Sequence, residues 1–301
     1  MDIQTFLMTA VKEDLIFLAV AVLLVMVIGF PIADKVMTRG YSLKKALFED
    51  DNTVAGLEFG GMLLALLYIS HSSISGETVK DASLSSELIG SSLTLAISIV
   101  LLLIAREILN MLVRSFNGGA DLNDEIFNQK NVAAAAVSMA ITISVVNGLT
   151  EEDTMGPEPG FHAVMAATVM VGGLLSIILY RFTHLKGSSF MKKFFEEDMA
   201  AAGVSLLGFV FAANLLIANI AAYVQGLDTI SHQGAVTTTL GLSVGFILLL
   251  AIIRLIFMFA INKMLSTNLN SELYEQNNIG AGFIDAGLCI GCSLLLVGAF
   301  V

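Results

Sequence analysis

Two carboxylates stand inside otherwise apolar stretches of this chain. Glu58 lies within TVAGLEFGGMLLAL and Asp285 within IGAGFIDAGLCIG. An ionised carboxylate without a partner in hydrocarbon costs several kcal/mol, so each must be protonated, ion-paired or turned toward water. Those are the conditions of a cation site or a proton relay, and intramembrane acids are functional suspects for that reason. The competing reading is a carboxyl near the interface held by a neighbouring arginine. Arg106, Arg181 and Arg254 sit near the ends of other apolar stretches. Asp34 occupies the related place in the first stretch, and Glu107 follows Arg106. Long arginine stems also reach the interface on their own, and spacing does not choose the pairs.

Other patterns lead to less. Cys289 and Cys292 form CxxC within the last apolar stretch. A metal site of that spacing needs a second ligand pair, and none is apparent, so both read as small packing residues. His71, His162 and His232 read as interfacial histidines. GLSVG at 241–245 matches the nucleophile-elbow spacing, but an elbow needs a strand-to-helix turn and this stretch is continuous apolar helix. Asn147, Asn214 and Asn219 suit interhelical hydrogen bonds. No metalloprotease, phosphate-loop or dinucleotide fingerprint occurs. The expectation is therefore no catalytic residue, no metal, no cofactor and no enzyme.

The elements that must position these groups are membrane helices. Hydrophobic residues make up 56% of the 301-residue chain and charged residues 14%, far below the charge of a soluble domain. Eight candidate spans can be marked, at 15–37, 52–74, 87–113, 131–149, 160–183, 199–224, 233–262 and 278–301. The first reads as a retained helix, because acids precede it and Lys35 and Arg39 follow it. Thirteen of the 15 basic residues fall after odd-numbered spans, which places those loops in the cytoplasm and both termini outside. The outer face is strongly acidic, which suits cation attraction or simple solubility.

One phrase recurs four times: EDDNTVAGLEFGG at 49, NQKNVAAAAVSMA at 128, EEDMAAAGVSLLG at 196 and EQNNIGAGFIDAG at 275. The first and third copies start 147 residues apart, as do the second and fourth. The chain therefore reads as a tandem duplication, with units at 1–150 and 151–301 joined through the proline-bearing TEEDTMGPEPG. Each copy opens an even-numbered span behind a short amphipathic stretch suited to the interface. Asn52, Asn131 and Asn278 suit helix N-caps; Met199 fills that place in the third copy, where the cap is lost or comes from Asp198. Gly56 with Gly60, and Gly287 with Gly291, have the spacing that lets helix backbones approach closely. The acids do not match across copies. Glu58 is six residues after its asparagine and Asp285 seven, and the other copies offer Ser138 and Ser205 or Leu206.

NTVAGLEFGGMLLAL and NNIGAGFIDAGLCIG resemble the signature of the YjfL-like bacterial inner-membrane proteins, the domain of unknown function 350. Its asparagine, small residues and later glycine match Asn52 with Gly61 and Asn278 with Gly287. Asn131 pairs with Ala140, and the third copy keeps Gly208 without the asparagine. The resemblance covers essentially the whole chain as two fused units. It implies the cytoplasmic membrane and a helical bundle, and it implies no biochemical activity.

The expected fold is an all-α membrane protein of eight transmembrane helices, two tandem four-helix units of two hairpins each with short interfacial helices. Its surroundings are the lipid bilayer, with a homo-oligomer or another membrane protein as partner and no nucleic acid. Two functions fit: a conduit or transporter for ions or small cationic solutes, or a non-catalytic membrane scaffold.

Overall fold

In a computed structural model of the chain, residues 38–75, 84–116, 121–150, 159–185, 189–227 and 230–300 are described, with isolated positions between 19 and 35. The predicted first span falls almost wholly outside the described residues. The described regular structure is helical. Long helices are α2 (Thr53–Ser75), α3 (Leu84–Phe116), α5 (Val132–Leu149), α6 (Pro159–His184), α7 (Ala200–Gln225), α8 (His232–Leu265) and α10 (Ile279–Phe300). Short helices α1 (Leu43–Phe48), α4 (Leu122–Phe127) and α9 (Leu269–Tyr274), and a π-helical turn Lys192–Glu196, precede α2, α5, α10 and α7. Among the described residues six helices are long and apolar enough to cross a membrane. The apolar part of α2, Thr53–Ile69, is shorter.

The repeated phrase builds the same corner four times. Each short helix ends in a left-handed residue, at Asp51 (φ 46°), Lys130 (φ 56°), Asp198 (φ 44°) and Asn277 (φ 54°). Non-glycine residues rarely adopt this conformation, and aspartate and asparagine tolerate it best. It is held by one recurring bond. The next backbone N–H donates to the carbonyl six residues back, at 2.8 Å for Asn52, Asn131 and Asn278 and 3.0 Å for Met199.

Asparagine then caps the long helix, as its side-chain oxygen satisfies first-turn N–H groups. Asn52 Oδ1 accepts from Val54 and Ala55 at 3.0 Å, Asn131 Oδ1 from Ala134 at 2.8 Å, and Asn278 Oδ1 from Gly280 at 3.0 Å. For α7 the expectation of an Asp198 cap is corrected. Met199 supplies no side-chain bond, and Asn277 of the fourth copy accepts from Ala201 N–H at 2.9 Å. Asp198 instead accepts from Ala133 N–H on α5.

The four corners are linked in order. Asn52 donates to the carbonyls of Ile126 and Phe127 at 3.0 and 3.1 Å, and Asn131 to that of Phe194 at 3.0 Å. Where the third copy lacks asparagine, Lys193 donates to the Tyr274 carbonyl at 3.0 Å. The helices behind follow the same order: α2 packs on α5, α5 on α7, and α7 on α10. In a second layer α3 lies against α2 and α5, α6 against α5 and α7, and α8 against α7 and α10.

Close packing uses other glycines than the spacing suggested. A Cβ on Gly208 would lie 2.3 Å from Ala286 Cα, and one on Gly282 2.7 Å from the Ala201 carbonyl, so α7 and α10 touch backbone to backbone. Gly61 faces only the flexible end of Met139, and Gly56 is in ordinary contact with Leu47. Gly60, Gly287 and Gly291 meet nothing within 4 Å. The G-xxx-G pairs therefore do not join helices among the described residues. The expected close-packing role of Gly60, Gly287 and Gly291 is not seen among the described residues: Gly287 is exposed, and Gly60 and Gly291 are half-buried with open space beside them.

Candidate functional site

Glu58 on α2 and Arg106 on α3 are both buried, and Arg106 Nε donates to Glu58 Oε1 at 2.9 Å. Ser138 on α5 donates to the same oxygen at 2.7 Å. Arg106 Nη2 donates to Asn123 Oδ1 on α4 at 2.7 Å. Glu58 Oε2 is buried and has no hydrogen-bond partner among the described residues.

A second cluster lies between α7, α8 and α10. Arg254 Nε donates to Asp285 Oδ1 at 2.6 Å, with the two side chains 1% and 0% exposed. Ser205 on α7 donates to Asp285 Oδ2 at 2.5 Å. Tyr180 on α6 donates to Ser205 Oγ at 2.9 Å and meets the Tyr274 hydroxyl at 3.0 Å.

The clusters are repeat equivalents with their acids exchanged. By the 147-residue repeat, Glu58 corresponds to Ser205 and Ser138 to Asp285. Each half carries one carboxylate and one serine on the two long helices that follow its corners, α2 and α5 or α7 and α10, bonded to each other, and an arginine from the helix between. Glutamate sits on the first of these helices in the first half, and aspartate on the second in the second half. The Ser138 and Ser205 hydroxyls, and the Asn123 amide at Arg106, offset part of the desolvation of these pairs, while Glu58 Oε2 and Arg254 Nη2 stay buried with no hydrogen-bond partner among the described residues.

The remaining candidates are not drawn in. Glu107 pairs with Arg39 at 2.6 Å, half-exposed, rather than with a buried group. Arg181 is exposed and has no ion pair among the described residues. Asp34 Oδ1 is buried without a hydrogen-bond partner among the described residues. Asn147 donates to the Asn214 carbonyl at 3.1 Å and Asn214 to Ser144 Oγ at 3.3 Å, joining α5 to α7 as expected. Asn219 bonds within its own helix, to Leu215. The side chains of His71 and His162 lie outside the described residues, and His232 stacks on Phe161.

The fourth histidine, which carried no sequence signal, is part of the second cluster. His184 ends α6 fully enclosed, stacked on Tyr180 at 4.2 Å and edge-on to Phe209. Its ring nitrogen, an Asp285 oxygen and the Cys289 sulfur lie within 4.8 Å of one another. Both cysteines are buried in the apolar core, as expected of packing residues, and Cys289 also meets donor groups from α6 and from its own helix one turn earlier.

A family model, the Domain of Unknown Function (DUF350), matches residues 6–149 and again 158–300. The chain belongs to this family. It carries two copies of the domain in tandem, as the repeat in the sequence and the exchanged clusters both require. No curated protein and no solved structure matches the chain.

Proposed function

We propose that this tandem DUF350 protein is a conduit or transporter for protons or small cations. It would span a bacterial inner membrane eight times, as two four-helix units with both termini outside. The observation that carries this reading is the unequal treatment of the Glu58 oxygens. Oε1 is held by Arg106 and Ser138, while Oε2 is buried with no donor among the described residues. A buried acceptor left unmet costs about 1–3 kcal/mol, and a proton or cation arriving at Oε2 removes that cost. The arginine holds the carboxylate in place through Oε1.

A second reading, a membrane scaffold that binds partners through its helices, is favoured by the closed geometry at Asp285. Both of its oxygens are already bonded, as suits a fixed ion pair. Reconstitution in liposomes separates the two. Under an imposed gradient, proton or cation flux that falls with Glu58→Gln and Asp285→Asn supports the conduit. Absence of flux under every gradient leaves the scaffold. Flux that survives both substitutions removes these carboxylates from the path.

A further inference from the structure

We infer that His184, Cys289 and Asp285 form a binding site for a soft monovalent cation of the copper(I) type, held chiefly between the imidazole Nε2 and the thiolate. This goes beyond the conduit and does not depend on any ion crossing the membrane.

The tautomer of His184 follows from its neighbours. The Thr183 hydroxyl donates its one hydrogen to the Leu179 carbonyl at 2.8 Å. Its oxygen, 2.6 Å from His184 Nδ1, is left as an acceptor. Nδ1 therefore carries the proton and Nε2 presents a lone pair. That lone pair is buried with no hydrogen-bond partner among the described residues, in a residue 2% exposed. This is how metal-binding histidines are prepared: the far nitrogen is fixed by a hydrogen bond and the near one is left free.

The thiol of Cys289 is fully buried and not in a disulfide. Metal–sulfur and metal–nitrogen bonds of about 2.3 and 2.0 Å reach across roughly 4.3 Å when opposed. A ring nitrogen of His184, the Cys289 sulfur and an Asp285 oxygen lie within 4.8 Å of one another, so small side-chain shifts bring them to bonding distance of one ion. Asp285, with Arg254 and Ser205 on its two oxygens, closes the third side with a remaining lone pair.

Donor type and charge together select the ion. Thiolate and imidazole suit copper(I) and zinc, while hard cations prefer an oxygen cage. The Arg254 guanidinium stays against Asp285 and cancels its charge. The thiol proton leaves to solvent as the ion enters, so the thiolate balances one positive charge and no more. A divalent ion would leave this enclosed cluster with a net charge, which burial penalises.

The test is binding by the purified full chain in detergent under reducing conditions, against a chromophoric copper(I) chelator, with silver(I) as a redox-inert second probe. We expect one ion per chain, with X-ray absorption showing one sulfur and one nitrogen neighbour. His184→Phe, which keeps the ring stack, and Cys289→Ser should each weaken retention by more than about 100-fold. Cys292→Ala should not. Size-exclusion profiles like the wild type would establish that both variants fold. No retention by the wild type, or retention unchanged in His184→Phe and Cys289→Ser, overturns the site. Zinc(II) displacing an equal amount of copper(I) overturns the ion. Flux is not read in this experiment, so loss of the conduit reading leaves its result intact.

Discussion

Ser138 hydrogen-bonds Glu58 at 2.7 Å from the very repeat position that Asp285 fills in the second half of the chain. Ser205 bonds Asp285 at 2.5 Å from the position that Glu58 fills in the first. Within each half the charge can evidently stand on either long helix that follows a corner, provided the partner helix supplies a hydroxyl and the helix between them an arginine.

This exchange predicts a rescue. Glu58→Ser alone leaves Arg106 buried without its carboxylate, a loss of about 3–5 kcal/mol. Adding Ser138→Asp restores one carboxylate and one hydroxyl to the first half in the arrangement the second half uses. Thermal unfolding in detergent should show Glu58→Ser well below wild type and the double variant recovering most of the difference. A double variant no more stable than Glu58→Ser would show that the halves are not interchangeable.

Glycines at contacts and glycines beside open space should behave differently. Gly208→Ala drives a methyl into the Ala286 backbone, and overpacking of this kind costs about 1–3 kcal/mol. Gly287→Ala and Gly291→Ala add a methyl to open space and should stay within about 0.5 kcal/mol of wild type. Unfolding midpoints of the three single variants decide this. Equal losses at all three would mean that α10 uses this open face for contact.

Asp198 gives a pH dependence of defined sign. Burial raises its pKa, against the lowering effect of the Ala133 and Val132 N–H groups. The folded protein thus holds this proton more tightly than the unfolded chain. Its contribution is fully present below the ordinary aspartate range and is lost as pH rises through the raised value. Asp198→Asn removes that term. The stability of wild type relative to Asp198→Asn should therefore fall as pH rises from about 4 toward neutrality, measured by chemical unfolding at several pH values. A flat difference would show that Asp198 does not titrate in the folded state.

Much of the frame was readable from the residues alone. The fourfold phrase located each corner, and three asparagines marked three caps, because capping is local and needs only a residue and its next turn. The fourth cap was not readable, since Asn277 reaches α7 from another copy. The ion pairs were unreadable for a related reason. Arg106 and Arg254 are 148 residues apart, one off the repeat, and the acids sit on non-equivalent helices. Only the contact between neighbouring helices shows that each acid faces the other acid's serine. His184 was missed because a single histidine at a helix end has no spacing to betray it; its meaning lies in Thr183 beside it and in Cys289 across the helix interface.

The corner-to-corner links join neighbours, from Asn52 to the second corner, Asn131 to the third and Lys193 to the fourth, with Lys130 and Asn277 donating back to the Asp50 and Asp198 carbonyls. The last asparagine, Asn278, turns back to Glu272 of its own corner. Among the described residues no hydrogen bond joins the fourth corner to the first, and each long helix behind a corner packs on the next, so the copies stand in a file and not in a closed ring. Four helices in a ring would share a single axial lumen. Four in a file share none: they have three seams, and Glu58 and Asp285 belong to the two outer ones, with the Asn214 amide network in the middle. Whatever these carboxylates do, they do it as two separate stations, and silencing one leaves the other whole.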